Sequence, residues 1–298
     1  MVEAAVYQGP SWNLVSDFHQ LVSFPFMVNA LEAGTIVAVM AGVTGWFMVL
    51  RRQTFAGHTL AVIAFPGAAA ATLAGLPVAV GYFGFCGLGA LVLAAVAGSR
   101  SSLGAESAAI GSLQALALGL GFLFVSLYGG VLNGLDSLLF GTFLGITSQQ
   151  VSVLLAVAAT AVTLVVVAAR PLFFASVDVD VARAGGVPVR LLGFAFLLVL
   201  GLAVAETSQI TGALLVFALL VTPAATAHQL TSRPALGMAL SVALALAVTW
   251  LGLAIAYFSV YPVGFFVTSL AFALYVVVRL ARAAANRRRA RVLVPEPA

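Results

Sequence analysis

Apolar runs of roughly twenty residues, almost free of charge, follow one another along this chain and fix its solvent as lipid. A helix rising 1.5 Å per residue needs about 20 apolar residues to cross a hydrocarbon core. Marking the runs against charged, proline and glycine breaks predicts nine of them. They are about Phe26 to Leu50, Phe55 to Ala74, Val78 to Ala97, Ala108 to Tyr128, Val151 to Ala169, Leu191 to Ala205, Ile210 to Leu230, Ala235 to Tyr257 and Val263 to Leu280. The expected fold class is all-α, a polytopic transmembrane helical bundle with about nine spanning helices. Only 7% of the residues are charged and the mean hydropathy is +1.16, outside the range of soluble domains. A transmembrane barrel would alternate apolar and polar residues over about ten-residue segments. No such segment occurs.

The charges sort the connections between these runs. All 13 basic residues are arginines. Arg51 and Arg52 follow the first run, Arg100 the third, and Arg170, Arg183 and Arg190 the fifth. Arg233 follows the seventh, and Arg279, Arg282, Arg287, Arg288, Arg289 and Arg291 close or follow the ninth. Every one lies in a connection of the same parity, and the positive-inside rule makes that side cytoplasmic. The N-terminus is then expected outside and the C-terminus inside a cytoplasmic (inner) membrane. A formal charge of +4 distributed in this way is a topology signal and not a nucleic-acid footprint.

One membrane domain over residues 1–298 is expected, with a core at 21–281 and a basic tail at 282–298 lying on anionic lipid. The first twenty residues carry Glu3 and Asp17 without a basic cluster, so the first run is expected to stay as a helix. Cys86 is the only cysteine and reads as packing material. Two connections are longer than joining requires. Residues 129–150, on the outer side, suggest a short interfacial or re-entrant helix. Residues 171–190, on the inner side, contain a polar stretch from Ser176 to Arg183 that predicts a short docking helix, ended by Gly185, Gly186 and Pro188.

Without lysine the chain has no phosphate-binding loop of the nucleotide-hydrolase type, and it carries no nucleophile elbow or His-Glu-x-x-His pair. A transport subunit, not an enzyme, is the leading class. Ionisable residues at bilayer depth are then the functional candidates. His58 opens the second run and His228 ends the seventh, both toward the inner side. They either converge on a common pathway or each bond a backbone carbonyl. Glu206 falls between the sixth and seventh runs, as a solvated loop carboxylate or a pathway group. Glu32, two turns into the first run, faces either a polar interior or the lipid interface. Pro66-Gly67 and Pro223 predict kinks, because proline removes a helix donor and frees a carbonyl.

Four segments resemble the membrane permeases of ABC importers for zinc, manganese or iron. They are Leu50 to Gly57 with Phe65-Pro66-Gly67; Leu139 to Gly145; Asp178 to Val189; and Gly212 to Val216 with Ala218 to Ala227. The resemblance implies the ABC importer permease fold and a homodimer served by a separate ATPase subunit and an extracytoplasmic solute-binding protein. It also implies that ATP is used by the partner, that no cofactor is held permanently, and that the cargo is a divalent metal ion carried by alternating access. Asp178, Asp180, Ala182, Arg183, Gly185 and Gly186 would form the segment coupled to the ATPase. The resemblance also marks a departure. The family's second helix opens with Gly-Asp-Ala-x-x-x-His, whereas here Gly57 is followed by His58, and Val62 stands at the histidine position. One imidazole without a nearby carboxylate is a poorer site for a hard divalent ion. A metal chelate as cargo, or a secondary transporter or channel working without an ATPase, are the alternatives.

Overall fold

The computed structural model describes residues 14–98, 103–128, 141, 145–213 and 216–293. The helices among them are α1 Leu14–Ser23, α2 Pro25–Leu50, α3 Thr54–Leu73, α4 Val78–Gly98, α5 Leu103–Leu127, α6 Ser148–Val167, α7 Ala169–Val177, α8 Val179–Ala184, α9 Val189–Thr211, α10 Val216–Leu230, α11 Pro234–Tyr257 and α12 Val263–Leu293. Eight are long and apolar enough to cross a membrane, and α10 is a shorter apolar helix. No strand occurs among the described residues. The nine predicted runs map one to one onto α2, α3, α4, α5, α6, α9, α10, α11 and α12.

Three boundaries differ most from the expectation. The sixth run continues to Thr211 instead of stopping at Ala205, α10 begins only at Val216, and α12 carries its helix into the arginine-rich tail as far as Leu293. The first of these has a clear cause. Thr207, Ser208 and Thr211 return their hydroxyls to the carbonyls of Ala203, Val204 and Thr207 at 2.7, 2.7 and 2.9 Å, so a stretch that reads as polar satisfies itself inside the helix. Gly212, at φ +76, then stops it. The suggested outer helix of residues 129–150 lies largely outside the described residues.

α2 is the most buried span. It packs on α11, α10, α6 and α9, while α3 packs on α4 and α5, and α9 on α4. Small residues permit these approaches, since lipid offers no hydrophobic drive between helices and close van der Waals contact must supply it. A methyl group on Gly45 would overlap the carbonyl oxygen of Leu220, and one on Gly67 or Gly81 would overlap the other's carbonyl. Cross-helix hydrogen bonds add to the contact, from Ser241 Oγ to the Gly42 carbonyl at 2.8 Å and from Trp250 Nε1 to Thr35 Oγ1 at 2.9 Å. Large apolar side chains such as Leu88, Leu116, Phe122, Leu155 and Phe272 point outward from the peripheral spans, the inverse of a soluble protein.

The two ends of the bundle differ in charge. At one end Arg51 reaches Ser176 of α7, Trp46 stacks near Phe173 of α7, and Gly237 of α11 abuts Trp46. The connections holding Arg51, Arg52, Arg170, Arg183, Arg190 and Arg233 therefore gather at that end. At the opposite end Asn29 Nδ2 donates to the Ile146 carbonyl at 3.0 Å, and Phe24 packs on Tyr257. Arg100 lies outside the described residues.

Candidate functional site

Three helical rungs give the depth of each candidate. Cys86 Sγ donates to the Leu60 carbonyl at 3.6 Å, and Gly201 of α9 lies against the Cys86 carbonyl, so Leu60, Cys86 and Gly201 share a level. Gly67 and Gly81 touch one level further from the arginine end. Glu206 is five residues beyond Gly201, about 7.5 Å, which sets it level with the Gly67–Gly81 crossing. It lies about 20 Å from the start of α3, inside a hydrocarbon core about 30 Å thick.

Glu206 is fully buried, and neither carboxyl oxygen has a hydrogen-bond partner among the described residues. This corrects the solvated-loop reading. The carboxylate sits within α9 because the hydroxyls that follow it keep the helix intact. A buried carboxyl without partners is among the most costly groups a lipid-embedded bundle can hold.

His58 occupies the second turn of α3 and is exposed on the protomer surface, with its ring edge-on to Phe217 of α10 at 5.1 Å between centroids. Val62, one turn further along the same face, is partly exposed. The adjacent Thr59 is buried and tied to α5, because Gln114 Nε2 donates to Thr59 Oγ1 at 2.8 Å. His228 has a different role in the architecture. Its ring stacks on Trp46 at 5.1 Å and 14°, and Nε2 lies 3.1 Å from the Trp46 carbonyl, which fastens the end of α10 to α2.

The two histidines are not brought together within one protomer. Phe217, which touches His58, and His228 are eleven residues apart on α10, about 16 Å. Glu206 stands about 13 Å deeper than His58 by the same measure. No group of three or more His, Cys, Asp or Glu side chains gathers among the described residues. A groove of about 1050 Å³ between α1, α2, α6 and α11 holds Glu32, but Thr35, Ser148, Ser152 and apolar residues line the rest of it. It offers no second metal-ligating side chain.

Pro66 and Pro223 lie inside α3 and α10, and both are buried. Each lacks the amide hydrogen that would meet the carbonyl four residues earlier, leaving Val62 and Leu219 without their helical donors. Gly67 follows Pro66 at the point where α3 and α4 cross closest.

At the arginine end the predicted docking segment forms a short capped helix. Asp178 Oδ1 accepts from the backbone amides of Asp180 and Val181, each at 3.0 Å, and opens α8. At the other end Gly186 N donates to the Arg183 carbonyl and Val187 N to that of Ala182, each at 3.0 Å. Gly186 has φ +78, the left-handed closure that favours glycine, and Gly185 is the residue before it. Ala182 is buried toward the bundle, whereas Val177 and Val181 project outward at 64% and 62% exposure. Arg183 and Asp180 pair at 3.4 Å on the solvent side.

The model of the ABC 3 transport family matches residues 23–282. This chain belongs to that family. It is 31% identical over 221 residues to the manganese transport system membrane protein MntC of Halalkalibacterium halodurans, covering 74% of this chain and 75% of that one. It is 30% identical over 237 residues to the manganese import system permease protein ScaB of Streptococcus parasanguinis, covering 80% and 84%. The solved structure of PsaBC from Streptococcus pneumoniae in complex with Fab superposes with a TM-score of 0.79 at 26% identity, over 89% of this chain and 95% of that chain. As an ABC 3 family member the chain is a multi-pass membrane permease built on the fold that the sequence predicted.

Sequence reasoning missed one group at this end. Arg51 entered only as a topology marker, yet its side chain turns inward to Gln53, Ser176 and Phe196, whereas that of Arg52 stays exposed. The adjacent arginines look alike in sequence, and only the packing of α7 and α9 separates them.

Proposed function

We propose that this chain is the membrane permease of an ABC importer that carries a divalent transition metal inward by alternating access, as a homodimer served by an ATPase pair. The capped α8 carries the reading. It offers exposed Val181 beside Asp180 and Arg183, next to exposed Val177 at the end of α7, at the arginine end of a chain without its own phosphate-binding lysine. That end is the cytoplasmic one by the positive-inside rule, with the N-terminus outside. Asp178 to Gly186 dock in the ATPase, and a solute-binding protein delivers cargo at the opposite face. The relatives' names favour manganese, with zinc and iron as close competitors.

For the path, His58 and Glu206 are the proposed cargo groups, at two depths. His58 faces outward from the protomer, where a second copy would supply the other wall. Glu206 supplies, at greater depth, the carboxylate that the resemblance implies at the position of His58. Pro66, Gly67 and Pro223 supply freed carbonyls and points of bending. His228 holds α10 on α2. A metal chelate is the second reading, favoured by the neutral, aromatic setting of His58 against Phe217.

The test is reconstitution of the full chain with an ATPase and a solute-binding protein of the same importer class, followed by uptake of labelled manganese, zinc and iron. His58→Ala is expected to reduce uptake of the preferred ion several-fold. Unchanged uptake of all three removes His58 from the path, and uptake only of chelated metal selects the second reading.

A further inference from the structure

Arg51 stands at the junction of four helices. It is the C-cap of α2, and Nε donates to Gln53 Oε1 at 3.3 Å, on the N-cap residue of α3. Nη1 donates to Ser176 Oγ of α7 at 3.4 Å. The Ser176 hydroxyl gives its own proton to the Leu172 carbonyl at 2.5 Å, so a lone pair is left for the guanidinium. The guanidinium carbon lies 5.3 Å from the centre of the Phe196 ring on α9, and Phe196 in turn packs against Phe47 of α2. Gly193 lies one turn earlier on α9, where a methyl group would just touch Nη2 at 3.5 Å. Burial pushes the guanidinium down from its ordinary value, while every one of these partners is neutral.

These contacts make a joint that holds and still releases. A carboxylate partner would lock a half-buried arginine through a charge-assisted bond, whereas hydrogen bonds of 3.3 and 3.4 Å to neutral groups are individually weak. The planar face on Phe196 supplies the rest and tolerates sliding. Ser176 lies two residues before Asp178, the cap of α8, so a displacement of α8 has only two residues of chain to cross before it reaches this contact.

We propose that Arg51 is the positioning residue that carries movement of the ATPase-docking arm, α7 and α8, into the spans α2, α3 and α9. The proposal rests on the ATPase-served reading given above. α3 carries His58 and α9 carries Glu206, so one guanidinium connects the docking arm to both proposed cargo groups.

Full permease reconstituted with its ATPase and binding protein tests this through cargo taken up per ATP hydrolysed. R51K keeps the charge but loses the planar fork, and R51Q loses both. Each is expected to lower the uptake-to-hydrolysis ratio about tenfold while the ATPase still co-purifies. S176A, a milder change that keeps the chain folded, is expected to lower it about threefold. A merely structural role would reduce the yield of folded permease and leave that ratio where it was. An unchanged ratio in R51K, R51Q and S176A overturns the role of Arg51. Failure of the wild-type chain to retain any ATPase overturns the ATPase-served reading and this proposal with it.

Discussion

The ionisable side chains at the arginine end and the Glu206 carboxyl in the interior are treated in opposite ways. At the arginine end Arg51, His228, Ser176 and Asp178 each have hydrogen-bond partners, mostly at helix termini where backbone groups are free. About 20 Å deeper, neither carboxyl oxygen of Glu206 has a hydrogen-bond partner among the described residues, although the hydroxyls beside it are satisfied by their own helix. Folding alone explains the first arrangement. The second costs stability, and that cost is the physical ground on which Glu206 is proposed as a cargo group.

The largest expected effect comes from reversing that cost. Glu206→Leu should abolish uptake and yet raise the thermal midpoint of the purified permease, because removing an unpaired buried carboxyl relieves about 1–3 kcal/mol. Uptake and unfolding measured on one preparation check this, and a variant that transports normally, or melts earlier, breaks the contrast between the two regions. At the arginine end Gly186→Val should strain the left-handed closure of α8 by about 1–2 kcal/mol. Co-purification with the ATPase should drop while the melting of the spans is unchanged. Asp178→Ala removes the cap of the same helix and should weaken that association less, by about 1 kcal/mol, read as a shift in the ATPase concentration needed for half-maximal uptake. The smallest effect is expected from His228→Phe, which keeps the stack on Trp46 and loses only the carbonyl contact. Stability should fall by about 1 kcal/mol with uptake retained, and a loss of uptake would move His228 into the path.

Much of the fold was legible because lipid leaves few alternatives. Nine apolar runs map onto nine helices, and the arginines of the described connections gather at one end, as their parity required. The short helix after Asp178 was legible too, since Asp178 is a good cap and Gly185-Gly186 a strong stop. The candidate site was far less so. Glu206 to Gln209 looked like a loop because polar side chains interrupt the hydropathy, but threonine and serine hydroxyls can bond to the carbonyl one turn back and let a helix run on. For His58 and His228 the sequence left open whether they converge or bond backbone carbonyls, and only the packing put His228 on the Trp46 carbonyl and His58 against Phe217, eleven residues away on α10.

The sequence by itself determined that this chain lives in lipid, where its apolar helices fall and which end carries the positive charge, because the expense of an unpaired peptide group or a charge in hydrocarbon is paid residue by residue. Only the tertiary structure decided that Glu206 is enclosed, that His228 braces α10 while His58 faces outward, and that Arg51 and not Arg52 turns into the junction. Those outcomes depend on which helix faces which. Small residues such as Gly45, Gly67 and Gly81 set that by contact across the bundle, and no local pattern records it.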